Sequence, residues 1–466
     1  MTSPNRPPFA LALGFFLLFL LLSGCSGSIY VRPQVDIPQK WSNAISSNDL
    51  THTAPWWESF GDDQLNTLII EVLARNSDIA TAAINVQQAQ VRLNAAGDPL
   101  RIGPQGNLEK NNYFRGAETV RANSNSLYGN SSYMIDLWGN LAHQRDIAGW
   151  ALQASEADKE AISLNIIGVT ASTYWQIGFL NQRIFASGKS LQIAIRTQQL
   201  VEAQFIAGAV SNLERREAEQ AVLTQKSRLS QLKQNREEAL NILAVLFNTA
   251  PEKNVLKDIL NIEPQSLPIT NLPTITEGVP SELLGRRPDL RAAELSLRQS
   301  LTSIDVVRTS FYPSLSLTGS LGAASTSLST LLANPVAIIG IGANLPFFNI
   351  KSAQTNTDLA RLQHDAAVIR FRKTLYQAFL EVENALSARM RLAEQEEFQA
   401  QNLKAAREAE RLYEIRYRAG AVALRIYLDA QEAHRAAELL WAQTRLNQLH
   451  NFVSLYQSLG GDIYVR

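Results

Sequence analysis

Few residues in this chain have the type and spacing to do chemistry. Its five histidines, His52, His143, His364, His434 and His450, show none of the close pair spacings that metal-binding helices use. A single cysteine rules out both a disulfide framework and a Cys-based zinc site. Ser187-Gly188-Lys189-Ser190 ends like a phosphate-binding loop, in which a lysine and a hydroxyl would meet a nucleotide. The upstream glycine of such a loop is replaced by Arg183, however, and the run falls inside a predicted helix. No Gly-x-Ser-x-Gly elbow, zinc motif or dinucleotide fingerprint occurs. These residues describe a protein that is not an enzyme, with no metal ligands and no diffusible cofactor. Nucleic acid is not an expected partner either. Its 43 Lys and Arg only balance 43 Asp and Glu, without the basic excess that displaces counterions from phosphates.

Cys25 is the exception. Phe9–Leu22 is mostly Leu, Phe and Ala, with Arg6 as the only charge ahead of it. At 14 residues the run is shorter than the about 20 that span a bilayer, and it suits the apolar core of a secretory signal. It ends Leu22-Ser23-Gly24-Cys25, which resembles a bacterial lipobox, where cleavage precedes the cysteine. Cys25 would then carry S-diacylglycerol and N-palmitoyl chains, each buried CH₂ contributing about 0.8 kcal/mol to anchoring. An ordinary signal peptide followed by an unrelated cysteine is the alternative.

The elements that would position any site are set out by proline. None of the 17 prolines falls in 105–250 or after Pro346, which leaves two long stretches free of helix breakers. Both are rich in Ala, Leu, Gln, Glu and Arg. Helices are predicted over 62–97, 140–206, 212–247, 281–309, 351–418 and 424–459. The two longest would each span roughly 100 Å. Ile162, Ile166, Val169, Thr173, Ile177 and Leu180 form one near-heptad stripe, and Leu164, Gly168, Ala171, Trp175 and Gly178 a second on another face. Two stripes on one helix mean neighbours on two sides, as for a stave in a cylinder. Leu375, Phe379, Val382 and Leu386 repeat the habit.

Between helices, apolar and small polar residues alternate in Ser314–Leu321, Ile338–Leu345 and Leu127–Trp138. Strands are expected at about 104–116, 125–138, 311–323 and 336–347, the first alternating poorly and placed by symmetry. Such strands suit a barrel wall between lipid and water, or equally a half-buried soluble sheet. The chain reads as an internal two-fold repeat. Phe205-Ile206-Ala207-Gly208-Ala209-Val210 is echoed by Tyr417-Arg418-Ala419-Gly420-Ala421-Val422, and Asp78 by Asp289. The expected division is 1–24 signal peptide, 25–61 N-terminal extended segment, 62–250 repeat 1, 251–280 Pro-rich linker and 281–466 repeat 2. Four strands cannot close a transmembrane barrel, and open edges are not tolerated in lipid. Three copies would supply twelve.

Across nearly the whole chain these features resemble the TolC-like outer-membrane channel proteins, in the lipoprotein branch that serves RND-type efflux pumps. The markers, in order, are the lipobox, Trp56-Trp57-Glu58-Ser59-Phe60, Leu284-Gly285-Arg286-Arg287-Pro288-Asp289-Leu290, Phe311–Leu317, Arg416–Gly420, Tyr427–Gln431 and Ser454–Gly461. The resemblance implies a mainly α fold with transmembrane β: a homotrimeric 12-stranded outer-membrane β-barrel, four strands per chain, continued by a periplasmic α-helical barrel. It implies outer-membrane lipid, a periplasmic adaptor (membrane fusion) protein and an inner-membrane RND transporter as partners. It also implies a closed periplasmic tip. Tyr417 matches a latch tyrosine, Asp429 a constriction aspartate, Arg416 and Arg418 nearby basic residues, and Glu214 an acidic latch partner. The exposed turns at Gly208 and Gly420 would meet the adaptor. Arg425 departs from an often apolar constriction residue and Ile426 from a second aspartate, so arginine would offset a thinner acidic ring. On residues alone, Asp429 reads as a carboxylate in a helix's first turn, and Tyr417 and the arginines as a solvated helix face. Two further functions stay open: an envelope-bridging coiled-coil lipoprotein, and the outer-membrane duct of a type I protein secretion system.

Overall fold

The computed structural model describes residues 27–43, 55–115, 118–251, 263–268, 272–273, 275, 278, 280–346 and 349–461, with the backbone alone given for the strand residues between 111 and 122. The signal segment 1–24, Cys25 and most of the 251–280 linker lie outside the described residues. Among the described residues, besides the one-turn helix Leu283–Arg286, the main helices and strands follow in the order α1 (Asp63–Arg75), α2 (Ser77–Ala95), β1 (Leu100–Arg115), β2 (Glu118–Ile135), α3 (Asn140–Ile206), α4 (Asn212–Leu246), α5 (Pro288–Thr309), β3 (Ser314–Ser325), β4 (Pro335–Asn344), α6 (Ile350–Arg418) and α7 (Leu424–Ser458). The order helix, strand, strand, long helix, shorter helix occurs twice. Among the described residues no helix is long and apolar enough to cross a membrane.

The sequence pattern predicts one helix over 62–97, and the structure holds two. Asn76 ends α1 in an extended conformation, and its side-chain oxygen accepts from Asp78 and Ile79 N–H at 2.9 and 3.2 Å to cap α2. Its amide nitrogen donates to the Leu246 carbonyl at 3.0 Å, tying the break to the end of α4. The helix predicted over 281–309 is also interrupted. Pro288 forces Arg287 into an extended conformation, so α5 starts at the proline, after a separate turn Leu283–Arg286.

The chain divides into two units. The first takes the described parts of Met1–Val35, Asn85–Glu156 and Ala292–Lys373. Its centre is one antiparallel sheet in the order β1-β2-β3-β4. Because directly paired residues share a face, the register puts Leu100, Ile102, Leu127, Tyr133, Leu317, Leu321, Ile339 and Ile341 together on one side. All eight are exposed, Ile339 at 86%. The opposite face carries Gln105, Asn130, Ser132, Ser316, Thr318 and Ser320. β1 begins four residues earlier than expected, at Leu100 rather than 104. Its apolar residues Leu100 and Ile102 precede Pro104, so a reading that starts at the proline misses the alternation. Pro104 and Pro335 both sit on outer strands, where a missing N–H is tolerated.

The same unit holds the N-terminal strap against α5. Asp305, 1% exposed, accepts from the Ser28 N–H and hydroxyl at 2.7 and 2.9 Å and pairs with Arg308 at 2.7 Å. Glu294 accepts from both Nε and a terminal nitrogen of Arg32, at 3.3 and 2.7 Å, and from Tyr30 at 3.2 Å.

The second unit takes the described parts of Asp36–Ile84, Ala157–Arg291 and Thr374–Arg466. Both stripes of α3 contribute to its core, with Leu164, Ile166, Ala171, Trp175, Ile177 and Leu180 buried. Trp56, Trp57 and Phe60 form one 3-10 turn. Phe60 meets Trp175 at 4.9 Å and Phe452 at 5.1 Å between ring centroids, and Trp56 meets Tyr456 at 5.4 Å. Arg287, buried, pairs with Asp289 at 2.7 Å and Glu381 at 2.8 Å, and donates to the Ser458 carbonyl at the end of α7 at 3.0 Å. A cation there suits the negative end of the helix dipole.

Candidate functional site

The expected gate residues lie where four helix ends of the second unit meet. α3 and α6 stop at equivalent turns. Gly208 has φ +74° and Gly420 φ +72°. At the first, Ala209 N–H bonds the Gln204 carbonyl at 2.8 Å and Gly208 N–H that of Phe205 at 3.0 Å. At the second, Ala421 bonds Arg416 and Gly420 bonds Tyr417, both at 2.9 Å. These are paired Schellman ends, and each needs a left-handed residue. Nothing lies within 4 Å of a Cβ built on either glycine, so backbone conformation and not space demands glycine there. Asn248 and Gly460 close α4 and α7 with the same bond pattern.

Under the turns, Val201 of α3, Ala218 of α4, and Leu424 and Tyr427 of α7 form a buried cluster, with Val210, Tyr413 and Tyr417 packed against it. Tyr417 stacks on Tyr427 with centroids 5.6 Å apart and planes 13° apart, and its hydroxyl donates to the Gln204 side-chain oxygen at 3.3 Å. Burial, and then the nearby Glu214 carboxylate, raise the Tyr417 pKa above the ordinary phenol value, so the hydroxyl stays a donor.

The charged residues find partners close by within the chain. Glu214 closes a capping box on Ser211, accepting its N–H at 3.0 Å and its hydroxyl, and these bonds hold the carboxyl below its usual range. The N-cap of α7, Ala423, has no side-chain cap. Arg418 pairs with Glu414 one turn back at 2.6 Å and is largely exposed. Tyr417 therefore meets a carbonyl oxygen on α3 and Arg418 a carboxylate on its own helix, while Glu214 is engaged by its own cap. Arg416 contributes its carbonyl to the second turn.

Arg425 stands between two carboxylates, 3.8 Å from Glu217 and 3.6 Å from Asp429. Asp429 is held by no other ion pair among the described residues, and both it and Arg425 are about 70% exposed, at 69% and 70%. Sequence reasoning missed Gln204, Tyr427 and Glu217 as partners. Only Glu217 left a signal, because the repeat aligns it with Asp429.

Two halves that end their helices alike, a sheet with one apolar face, and paired helix tips make the comparison with known proteins decisive. The family model described as outer membrane efflux protein matches twice, over residues 68–249 and 279–461. This chain belongs to the outer membrane efflux protein family. It is an outer-membrane efflux channel of a Gram-negative bacterium, projecting into the periplasm and working with an efflux pump, and not an enzyme. The efflux channel is 32% identical over 464 residues to the pyoverdine export outer membrane protein OpmQ of Pseudomonas putida, covering 95% of this chain and 96% of that relative. It is 27% identical over 456 residues to the cation efflux system protein CusC of Escherichia coli O6:H1, covering 96% and 97%. The solved outer-membrane channel OprN superposes with a TM-score of 0.84 at 26% identity, over 94% of this chain and 99% of that one.

Proposed function

We propose that the channel works as a homotrimer: three four-stranded sheets close a 12-stranded barrel, and the long helices of three copies line a periplasmic tunnel. The sheet carries this reading. Eight apolar residues of one face are exposed, while β1 and β4 each leave an edge unpaired among the described residues. In lipid the face is satisfied, and the edges are satisfied only by other copies. The two halves of the chain are a duplicated unit, and the 12 strands come from six such units. The channel is the exit duct of a tripartite pump, reached through a periplasmic adaptor at the turns of Gly208 and Gly420 and fed by an inner-membrane RND transporter. Cys25 is the acylated residue, carrying S-diacylglycerol and N-palmitoyl chains.

Tyr417, bonded across to α3, serves as the resting latch with Arg418 and Glu214 near it and Arg416 beside it, and Asp429 with Arg425 sets the charge at the constriction. Cargo choice lies with the transporter, because relatives named for pyoverdine and for cations match this chain over nearly its whole length. Purified protein in planar bilayers tests the duct. Single-channel conductance is the expected result, whereas a strut between envelope layers would give no current.

A further inference from the structure

Between α3, α4 and α7, a dozen or more residues back from the turns, a cleft of about 320 Å³ includes polar groups in its lining that the chain leaves unused. The Ser187 hydroxyl is buried and has no hydrogen-bond partner. Elsewhere on α3, Ser155, Ser163 and Thr170 bond back to the carbonyls of Ala151, Lys159 and Ile166 at 3.0, 3.0 and 2.7 Å. Ser187 does not use that option. Gln225 is 3% exposed as a residue, and its side-chain amide, which makes no hydrogen bond among the described residues, opens to the cleft. The Arg183 guanidinium rests on the Phe179 ring at 5.3 Å and has no carboxylate partner among the described residues.

The remaining charges in the cleft do not correct this. Arg228 grips Glu432 with two bonds of 2.7 and 2.6 Å, and Arg435 shares the same carboxylate at 2.9 Å. Glu438 also lines the cleft but is exposed to solvent. Three guanidiniums therefore share one engaged carboxylate, and a half-buried cation is left without an anion. Burial, and then the like charge of Arg228, lower the Arg183 pKa, two penalties that an arriving anion would relieve.

We infer that this cleft binds a small oxyanion, a carboxylate or phosphate group, held by the Arg183 fork with the Ser187 hydroxyl and the Gln225 amide. A guanidinium offers paired N–H donors at the spacing of two anionic oxygens, and such bonds are about twice as strong as neutral ones. The serines that mimic a phosphate loop in sequence take part here as hydroxyls on a helix, without any cradle of backbone N–H groups. A ligand held by these groups bridges α3 and α4, so it stabilises the folded protein by mass action. The site is separate from the turn residues and does not depend on the channel reading.

Calorimetric titration of the full detergent-solubilised protein, with citrate and with inorganic phosphate at constant ionic strength, tests this. The expected result is saturable binding of at least one probe with a raised unfolding temperature. Citrate alone would mark a carboxylate site, and phosphate alone a phosphate site. Arg183→Gln should weaken binding by about tenfold or more, the loss of a charged hydrogen bond. Should that variant fold poorly, Arg183→Lys keeps the charge, loses the fork and should still bind more weakly than wild type. Ser187→Ala should weaken binding by a smaller factor. Absence of saturable heat with either probe overturns the site, as does a folded Arg183→Gln protein that binds like wild type.

Discussion

Tyr417 is fixed by two different forces. Stacking on Tyr427 and the cluster beneath it hold the ring, and one bond to Gln204 holds the hydroxyl. Tyr417→Phe keeps the first and removes the second, at about 0.5–1.5 kcal/mol. The exposed Arg418–Glu414 pair is worth less, about 0–1 kcal/mol. Of the two, only the Tyr417–Gln204 bond joins α6 to α3, and a contact this weak can help hold a closed tip and still yield to a docking adaptor. The double change Tyr417→Phe with Arg418→Ser should raise single-channel conductance in planar bilayers without loss of assembly. Wild-type conductance from an assembled double mutant would place the latch elsewhere. Arg425 gives a prediction of opposite sign from its neighbour. It sits 3.6 Å from Asp429 and offsets that charge, so Arg425→Gln should strengthen block by di- and trivalent cations, and Asp429→Ala should weaken it. Equal block in all three proteins would remove both residues from the constriction. The turn glycines were legible from sequence because a left-handed end leaves a glycine between small residues. The partners across the tip were not, because Gln204 and Tyr427 carry no local mark of a contact more than two hundred, or ten, residues away in the chain.

At the scale of elements, the long helices could be read because proline is absent and the apolar spacing is regular over many turns. Breaks made by one side chain could not. Asn76 is only mildly unfavourable inside a helix, and its role appears when its oxygen caps α2 and its nitrogen reaches Leu246. β1 shows the same limit, since Leu100 joins the apolar face by pairing with Tyr133 of β2, a long-range register. An extended N-terminal segment is expected over 25–61, but its docking onto Glu294 and Asp305 leaves no mark in sequence, and it makes a pH prediction. Burial pushes the Glu294 carboxyl up, yet bonds from Arg32, Arg298 and Tyr30 outweigh it and leave the pKa below the usual value. A depressed carboxylate pKa stabilises the folded form above the unfolded pKa, and the contribution is lost as pH falls through the folded value. Stability to chemical unfolding should therefore fall as pH drops below about 4, as the Tyr30 and Arg32 side-chain bonds to Glu294 are lost. Glu294→Gln should lower stability already at neutral pH and flatten that acid dependence, and a variant with the wild-type stability and pH profile would detach the strap from Glu294.

For the whole molecule, membership in the outer membrane efflux protein family explains why a chain with no membrane-crossing helix among its described residues carries so exposed an apolar sheet. Isolated in lipid, the unpaired groups of β1 and β4 would each cost several kcal/mol, and burying the apolar row of one sheet does nothing for its edges. In the proposed trimer, β1 of one copy pairs with β4 of the next to close the wall, and twelve strands lie within the range that bacterial barrels use. The number of chains is thus the consequence on which barrel, tunnel and gate all rest. Native mass spectrometry of the channel purified in mild detergent measures it directly. A single species of three chains that persists on dilution is the expected result, and a monomer or dimer as the stable species would rule out the closed twelve-stranded wall.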